Sequence, residues 1–107
     1  MFAVIYQAYI KPESETEYQC AWHTVASYFK THCGALGSSL HKTEAGTWLA
    51  YSRWPDKKTR DAAWPRDNAP ANTFPEEIKH AIVAIKASID ATRTLPEIAM
   101  EVVEDLL

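Results

Sequence analysis

Residues 2–10 are apolar at both parities except for Gln7, and they carry Phe2, Val4, Ile5, Tyr6 and Tyr9. A strand with one wet face alternates apolar and polar positions. This one does not, so both of its faces are expected to be covered. Lys11 and Pro12 break the strand. Ser14 and Glu17 then fit a capping box, in which the hydroxyl satisfies a free backbone N–H and the Glu reaches back. The spacing predicts a helix over 15–32, with Tyr18, Trp22, Val25 and Phe29 on one stripe. Gly34 stands just past its end, where a left-handed residue is favoured.

Residues 36–42 and 47–54 flank a four-residue turn that ends in Gly46, which reads as a β-hairpin. Asp56 is placed to cap a short helix over 57–64, and Pro65 ends it. The stretch 66–72 is polar and broken by proline, and it is expected to be the most mobile part of the chain. Thr73 and Glu76 repeat the capping-box spacing ahead of a helix carrying Ile78, Ile82, Ile85 and Ile89. Residues 93–96 form a break, and 97–104 read as a last strand holding Ile98, Met100, Val102 and Val103.

The resulting order, β-α-β-β-α-α-β, fits an α+β fold. It is a four-stranded antiparallel sheet with helices on one face, the ferredoxin-like arrangement. Helices cover only one face of such a sheet. The doubly apolar first strand therefore predicts a homodimer in which a second copy covers the other.

Composition narrows the picture further. A chain of 107 residues supports one domain, spanning 1–107, and a net charge of -3 excludes a strongly basic nucleic-acid binder. No apolar run approaches the roughly 20 residues needed to cross a bilayer, and a signal peptide is not expected, since Met1 opens directly into the apolar strand without a basic n-region. Membrane and nucleic-acid partners are thus not expected. Cys20 and Cys33 lie about 20 Å apart if both sit on one straight helix, beyond disulfide reach, and the reading is a protein of the reducing cytoplasm.

Four tryptophans are the main chemical feature. Trp22 lies on the first helix stripe. Trp48 and Trp54 share strand parity with the small residues Ala50 and Ser52, which leaves room for either a flat ligand or a packed helix. Trp64, at the end of the short helix, is placed as a pocket lid. The histidines His23, His32, His41 and His80 are scattered, and no pair has metal-ligand spacing, so neither a metal nor another cofactor is called for. Lys57, Lys58 and Arg60 read as a solvated basic face.

The segment Trp48-Leu49-Ala50-Tyr51-Ser52-Arg53-Trp54-Pro55-Asp56 resembles the end of the third strand in the antibiotic biosynthesis monooxygenase domain family. The run from Leu36 to His41 resembles that family too, as does the opening strand followed by Lys11, Pro12, Glu13 and a long helix. The likeness spans about 2–103. It implies a dimeric α/β barrel with a cavity between sheet and helices. Some relatives there oxidise polycyclic aromatic phenols with O₂ and no metal or flavin, using a strand-end tryptophan and an asparagine four residues earlier. Trp54 matches the tryptophan, while Ala50 stands at the asparagine position. In a haem-degrading branch an asparagine on the first strand, a helical tryptophan and a histidine act together. Gln7, Trp64 and His80 stand nearest those places, His80 with poorly matched spacing.

Two functions follow as expectations. The first is a cofactor-independent monooxygenase or related oxidoreductase acting on a small aromatic or quinone-like compound. In it Trp54 and Trp64 would sandwich the ring, Trp22 and Gln7 would contact it, and His23 would accept the phenolic proton. The second is a non-catalytic small-molecule-binding or stress-associated dimer on the same scaffold. The cavity discriminates between them. A pocket of roughly 300 Å³ or more with a buried base favours the enzyme, and solidly packed tryptophans favour the binder.

Overall fold

A computed structural model describes residues 1–64 and 74–106. The strands are β1 (Phe2–Ala8), β2 (Gly37–Lys42), β3 (Trp48–Trp54) and β4 (Ile98–Glu101), and the helices are α1 (Glu15–His32), α2 (Lys57–Ala63) and α3 (Glu76–Ser88). All strand pairs are antiparallel, in the order β2-β3-β1-β4. This is the expected ferredoxin-like protomer. The 66–72 stretch lies outside the described residues.

Local signals account for most of the boundaries. Gly34 has φ +82° just beyond α1, where the Cys33 and Ala35 N–H groups both donate to the Phe29 carbonyl. Gly46 takes φ +91° in the hairpin turn. Asp56 caps α2 as expected, its Oδ1 accepting from the Thr59 backbone N–H at 2.7 Å. That bond, with a second from the Thr59 hydroxyl, holds the Asp56 carboxyl below the usual carboxylate range.

The two capping boxes turn out otherwise. Ser14 does precede α1, but at φ −109°, ψ 2° its hydroxyl makes no capping bond. An N-cap side chain reaches the first-turn N–H groups from extended backbone, which Ser14 lacks. The chain instead enters α1 through a 3-10 turn, Pro12–Ser14, with the Ser14 N–H bonded to the Lys11 carbonyl at 2.8 Å. Helix α3 starts at Glu76 with Pro75 in the cap position, so Glu76 cannot serve as the third helical residue of a box on Thr73, which itself lies outside the described residues. The last strand is also shorter than 97–104, because β4 pairs with β1 only from Ile98 to Glu101.

The register sorts the sheet's side chains. Phe2, Val4, Tyr6 and Ala8 of β1 lie beside Trp54, Ser52, Ala50 and Trp48 of β3 on the face toward the helices. Ala3, Ile5 and Gln7 share the opposite face with Leu49, Tyr51, Arg53, Ile98 and Met100. The core has two parts. One, between α1 and α3, gathers Ala21, Val25, Phe74, Ile78, Ala81 and Ile82. The other, on the sheet, gathers Phe2, Val4, Ala35, Trp54 and Ala63. Phe29 and Cys33 touch both and join them. No helix among the described residues is long and apolar enough to cross a membrane.

Candidate functional site

Helix α2 lies over one end of the sheet and sets the site. Its Ala63 is buried against the Trp54 cluster. Trp54 itself is only 2% exposed, and its indole Nε1–H donates to Ser52 Oγ at 3.1 Å. The indole polar group therefore has its partner within the core. Around it runs a chain of tilted and edge-on rings. Phe29 lies 5.9 Å from Trp54, 5.7 Å from Trp64 and 6.0 Å from Phe74, and Phe74 lies 5.7 Å from Tyr28.

Outside this chain a cleft of about 510 Å³ opens between α1, α2 and the start of α3, lined by Tyr28, His32, Cys33, Lys58, Thr59, Ala62, Ala63 and Phe74. It exceeds the size a small aromatic ligand needs. Among the described residues its lining holds no buried base: His32 is exposed, and burial pushes the Cys33 thiol above its ordinary value, away from thiolate.

The inner side of α2 carries a different group. Arg60, read from sequence as part of a solvated basic face, is 2% exposed. Lys57 and Lys58 are exposed, as expected. The helical turn that buries Ala63 also buries Arg60 three residues earlier. Its guanidinium stands over the Phe2 ring at 5.8 Å, its Nη2 donates to Glu97 Oε2 at 2.8 Å, and its Nε lies 3.5 Å from Asp61 Oδ1. That Nε is buried and makes no hydrogen bond. Tyr6 completes the group. Burial pushes its hydroxyl up to about 12; Arg60 pulls the value down, and Glu97 and Asp61 push it up. Tyr6 faces the helices and is half-buried; β4 pairs with β1 only from Phe2 to Ile5, so at Tyr6 the strand is paired on the β3 side alone.

The sequence-predicted residues separate. Trp54 and Trp64 both touch Phe29 and so belong to one aromatic group. Trp22 is half-buried on α1 beside Tyr18 and Val25, while its neighbour His23, about 100° further round, is exposed. Gln7 lies on the sheet face away from the helices, because strand alternation sends odd positions of β1 there, and its Nε2 donates to the Pro96 carbonyl at 3.1 Å. His80 is exposed on α3. Sequence reasoning missed Arg60, Tyr6 and Glu97. The available signal was the i, i+3 pairing of Arg60 with Ala63 once Asp56 fixes the helix phase. The partner carboxylate lies 37 residues further on, beyond any local pattern.

No protein-family model matches the chain, and no curated protein sequence matches it either. Solved structures do. An antibiotic biosynthesis monooxygenase superposes with a TM-score of 0.71 at 19% identity, over 97% of this chain and 100% of that one. A variant of SnoaB, a cofactor-independent oxygenase from Streptomyces nogalater, gives a TM-score of 0.71 at 13% identity, over 98% and 95%. A protein from Mycobacterium tuberculosis gives 0.70 at 11% identity, over 99% and 98%. With near-complete coverage at these TM-scores, the chain has the fold of the antibiotic biosynthesis monooxygenases.

Proposed function

We propose that the chain is a cofactor-independent oxidoreductase of the monooxygenase type, acting on a small aromatic or quinone-like compound bound between sheet and helices. The observation that carries this reading is Tyr6. It is a helix-facing residue of β1 that keeps solvent access just beyond the last pair with β4, with the small side chain of Ala50 opposite and the buried cation Arg60 acting on its hydroxyl. A mostly apolar space with few convergent polar groups is the usual form of a small-molecule site. An electron-rich substrate anion held there would reduce O₂ directly, with the protein supplying orientation and exclusion of water. Trp64, half-buried against Phe29, is the proposed ring contact at the rim. The test is O₂ uptake with naphthols, anthrones and quinols. Turnover with any of them supports the reading, and none across the panel sinks it.

The second reading, a non-catalytic binder on the same scaffold, is favoured by Trp54. Its packed ring and internally satisfied indole leave it no free face for a substrate. Saturable binding of the same compounds without O₂ uptake would select it.

For assembly, the proposal is a homodimer through the outer sheet face. Ile5, Leu49, Tyr51 and Met100 keep partial exposure there, and Ile98 is 40% exposed. A second copy burying this face removes more than about 1,000 Å² from water. Leu49→Asp should convert a dimer at micromolar concentration into a monomer in light scattering, and a wild-type monomer would refute the assembly. Cys20 and Cys33 are both free thiols, which suits the proposed cytoplasmic setting.

A further inference from the structure

The cleft between α1, α2 and the start of α3 is a different space from the interior between sheet and helices. Helix α2 stands between the two, its Ala63 lining the cleft and also buried against the Trp54 cluster. We propose that this cleft is a second binding site, for a flat aromatic ring that carries a phosphate, with Lys58 as the anchor of the phosphate. The inference goes beyond the interior reading and does not depend on it.

The walls account for the ring. Tyr28 meets Phe74 edge-on with centroids 5.7 Å apart, and His32, one turn further along α1, leans on Tyr28 at 4.9 Å and 36°. From α2, Ala62 and Ala63 bring only methyl groups to the lining, and the cleft measures about 510 Å³. Aromatic walls with a few polar groups are the usual setting for a ring-bearing ligand.

The charges account for the phosphate. Among the described residues the lining holds Lys58 and His32 and no carboxylate. Lys57 is held by Asp61 one turn further on, whereas Lys58 makes no ion pair or hydrogen bond among the described residues. The carboxylate that its charge does influence, Asp56, is taken up by the backbone N–H and the hydroxyl of Thr59. The ammonium is therefore available to a ligand. A compact ammonium binds phosphate as a point charge, without the planar fork by which a guanidinium selects a carboxylate. The His32 imidazole adds an N–H donor to the same lining. Lys58 is exposed, so its charge alone gives a weak contact, and a ring seated between Tyr28 and Phe74 supplies the rest.

Isothermal titration calorimetry at pH 7.0 tests this with 1-naphthyl phosphate, inorganic phosphate and the neutral 1-naphthalenemethanol. The aryl phosphate should bind about tenfold or more tighter than inorganic phosphate. Ala62→Trp places a large ring in the cleft from an exposed position and should weaken the aryl phosphate by about tenfold or more. Lys58→Gln should weaken it by about threefold or more and leave 1-naphthalenemethanol unchanged. If Ala62→Trp does not fold, the Lys58→Gln result decides. Absence of aryl phosphate binding, an affinity no better than that of inorganic phosphate, or binding that survives either substitution unchanged overturns the inference. O₂ uptake in the interior is read separately, so the two readings fail independently.

Discussion

Residues 60 and 63 are one helical turn apart on α2, and both are buried against the same sheet, yet they build opposite environments. Ala63 closes an apolar contact in which Trp54 is packed and hydrogen-bonded within its own strand. Arg60 brings a full charge into the protein, pairs it with a carboxylate that still reaches water, and leaves one nitrogen without a hydrogen bond. The first arrangement has nothing left to offer a ligand. The second holds a buried Nε 3.5 Å from the Asp61 carboxylate and a partner, Glu97, that reaches water. Buried area alone would rank the two alike; the state of the polar atoms separates a packing site from a binding site.

The largest expected effect falls on the packed side. Trp54→Ala removes a ring that touches Phe29 and belongs to the cluster of Phe2, Val4, Ala35 and Ala63, so it should cost about 3–5 kcal/mol in urea unfolding. It should leave the affinity of any bound aromatic ligand mostly intact in the folded fraction. A loss below about 2 kcal/mol, or a selective loss of ligand affinity, would instead make Trp54 a wall of the ligand space.

The ionic side should respond asymmetrically. Glu97→Ala leaves the buried guanidinium with Asp61, at 3.5 Å, as its carboxylate neighbour and should destabilise by about 2–3 kcal/mol, the usual cost of a broken buried pair discounted for the exposure of Glu97. Arg60→Met leaves a carboxylate that can turn to solvent, and a side chain of similar length to fill the space, so about 1 kcal/mol is expected. Equal losses, or the reverse order, would mean that the cation is not the trapped partner.

Much of this architecture is legible from local chemistry. Gly34 and Gly46 mark the places where φ turns positive, and Asp56 starts α2. Strand parity also puts Trp48, Ala50, Ser52 and Trp54 on the helix-facing side. Parity cannot say whether the small residues between the rings leave a void, because Phe29 and Ala63, from two helices, decide that. The site fails to show for the same reason. Arg60 looks like one more surface cation in a run with Lys57 and Lys58 until β4 brings Glu97 beneath α2. His23 stands one step around α1 from the Trp22 stripe and is exposed, and Gln7, which matches the family's first-strand asparagine only in approximate position, faces away from the helices.

The smallest effect concerns Tyr6 and pH. An ordinary tyrosine ionises near 10, and burial, the largest cause, moves Tyr6 to about 12, with Glu97 and Asp61 adding to the shift and Arg60 opposing it. The folded state therefore holds the phenolic proton more tightly than the unfolded state does. The contribution is fully present below pH 10 and is lost as pH rises from about 10 to about 12. Tyr6→Phe should flatten that segment of the stability profile and change little at pH 7 beyond a few tenths of a kcal/mol. Tyr18 is also pushed up by burial and will contribute a parallel loss, so the difference between the two proteins, rather than either curve, reports Tyr6. A bound aromatic oxyanion would add a negative charge near the hydroxyl and should push the Tyr6 transition higher still. Phenolate absorbance followed with and without 2-naphthoate measures this directly. A downward or absent ligand-induced shift would place the ligand away from Tyr6, and with it away from Arg60.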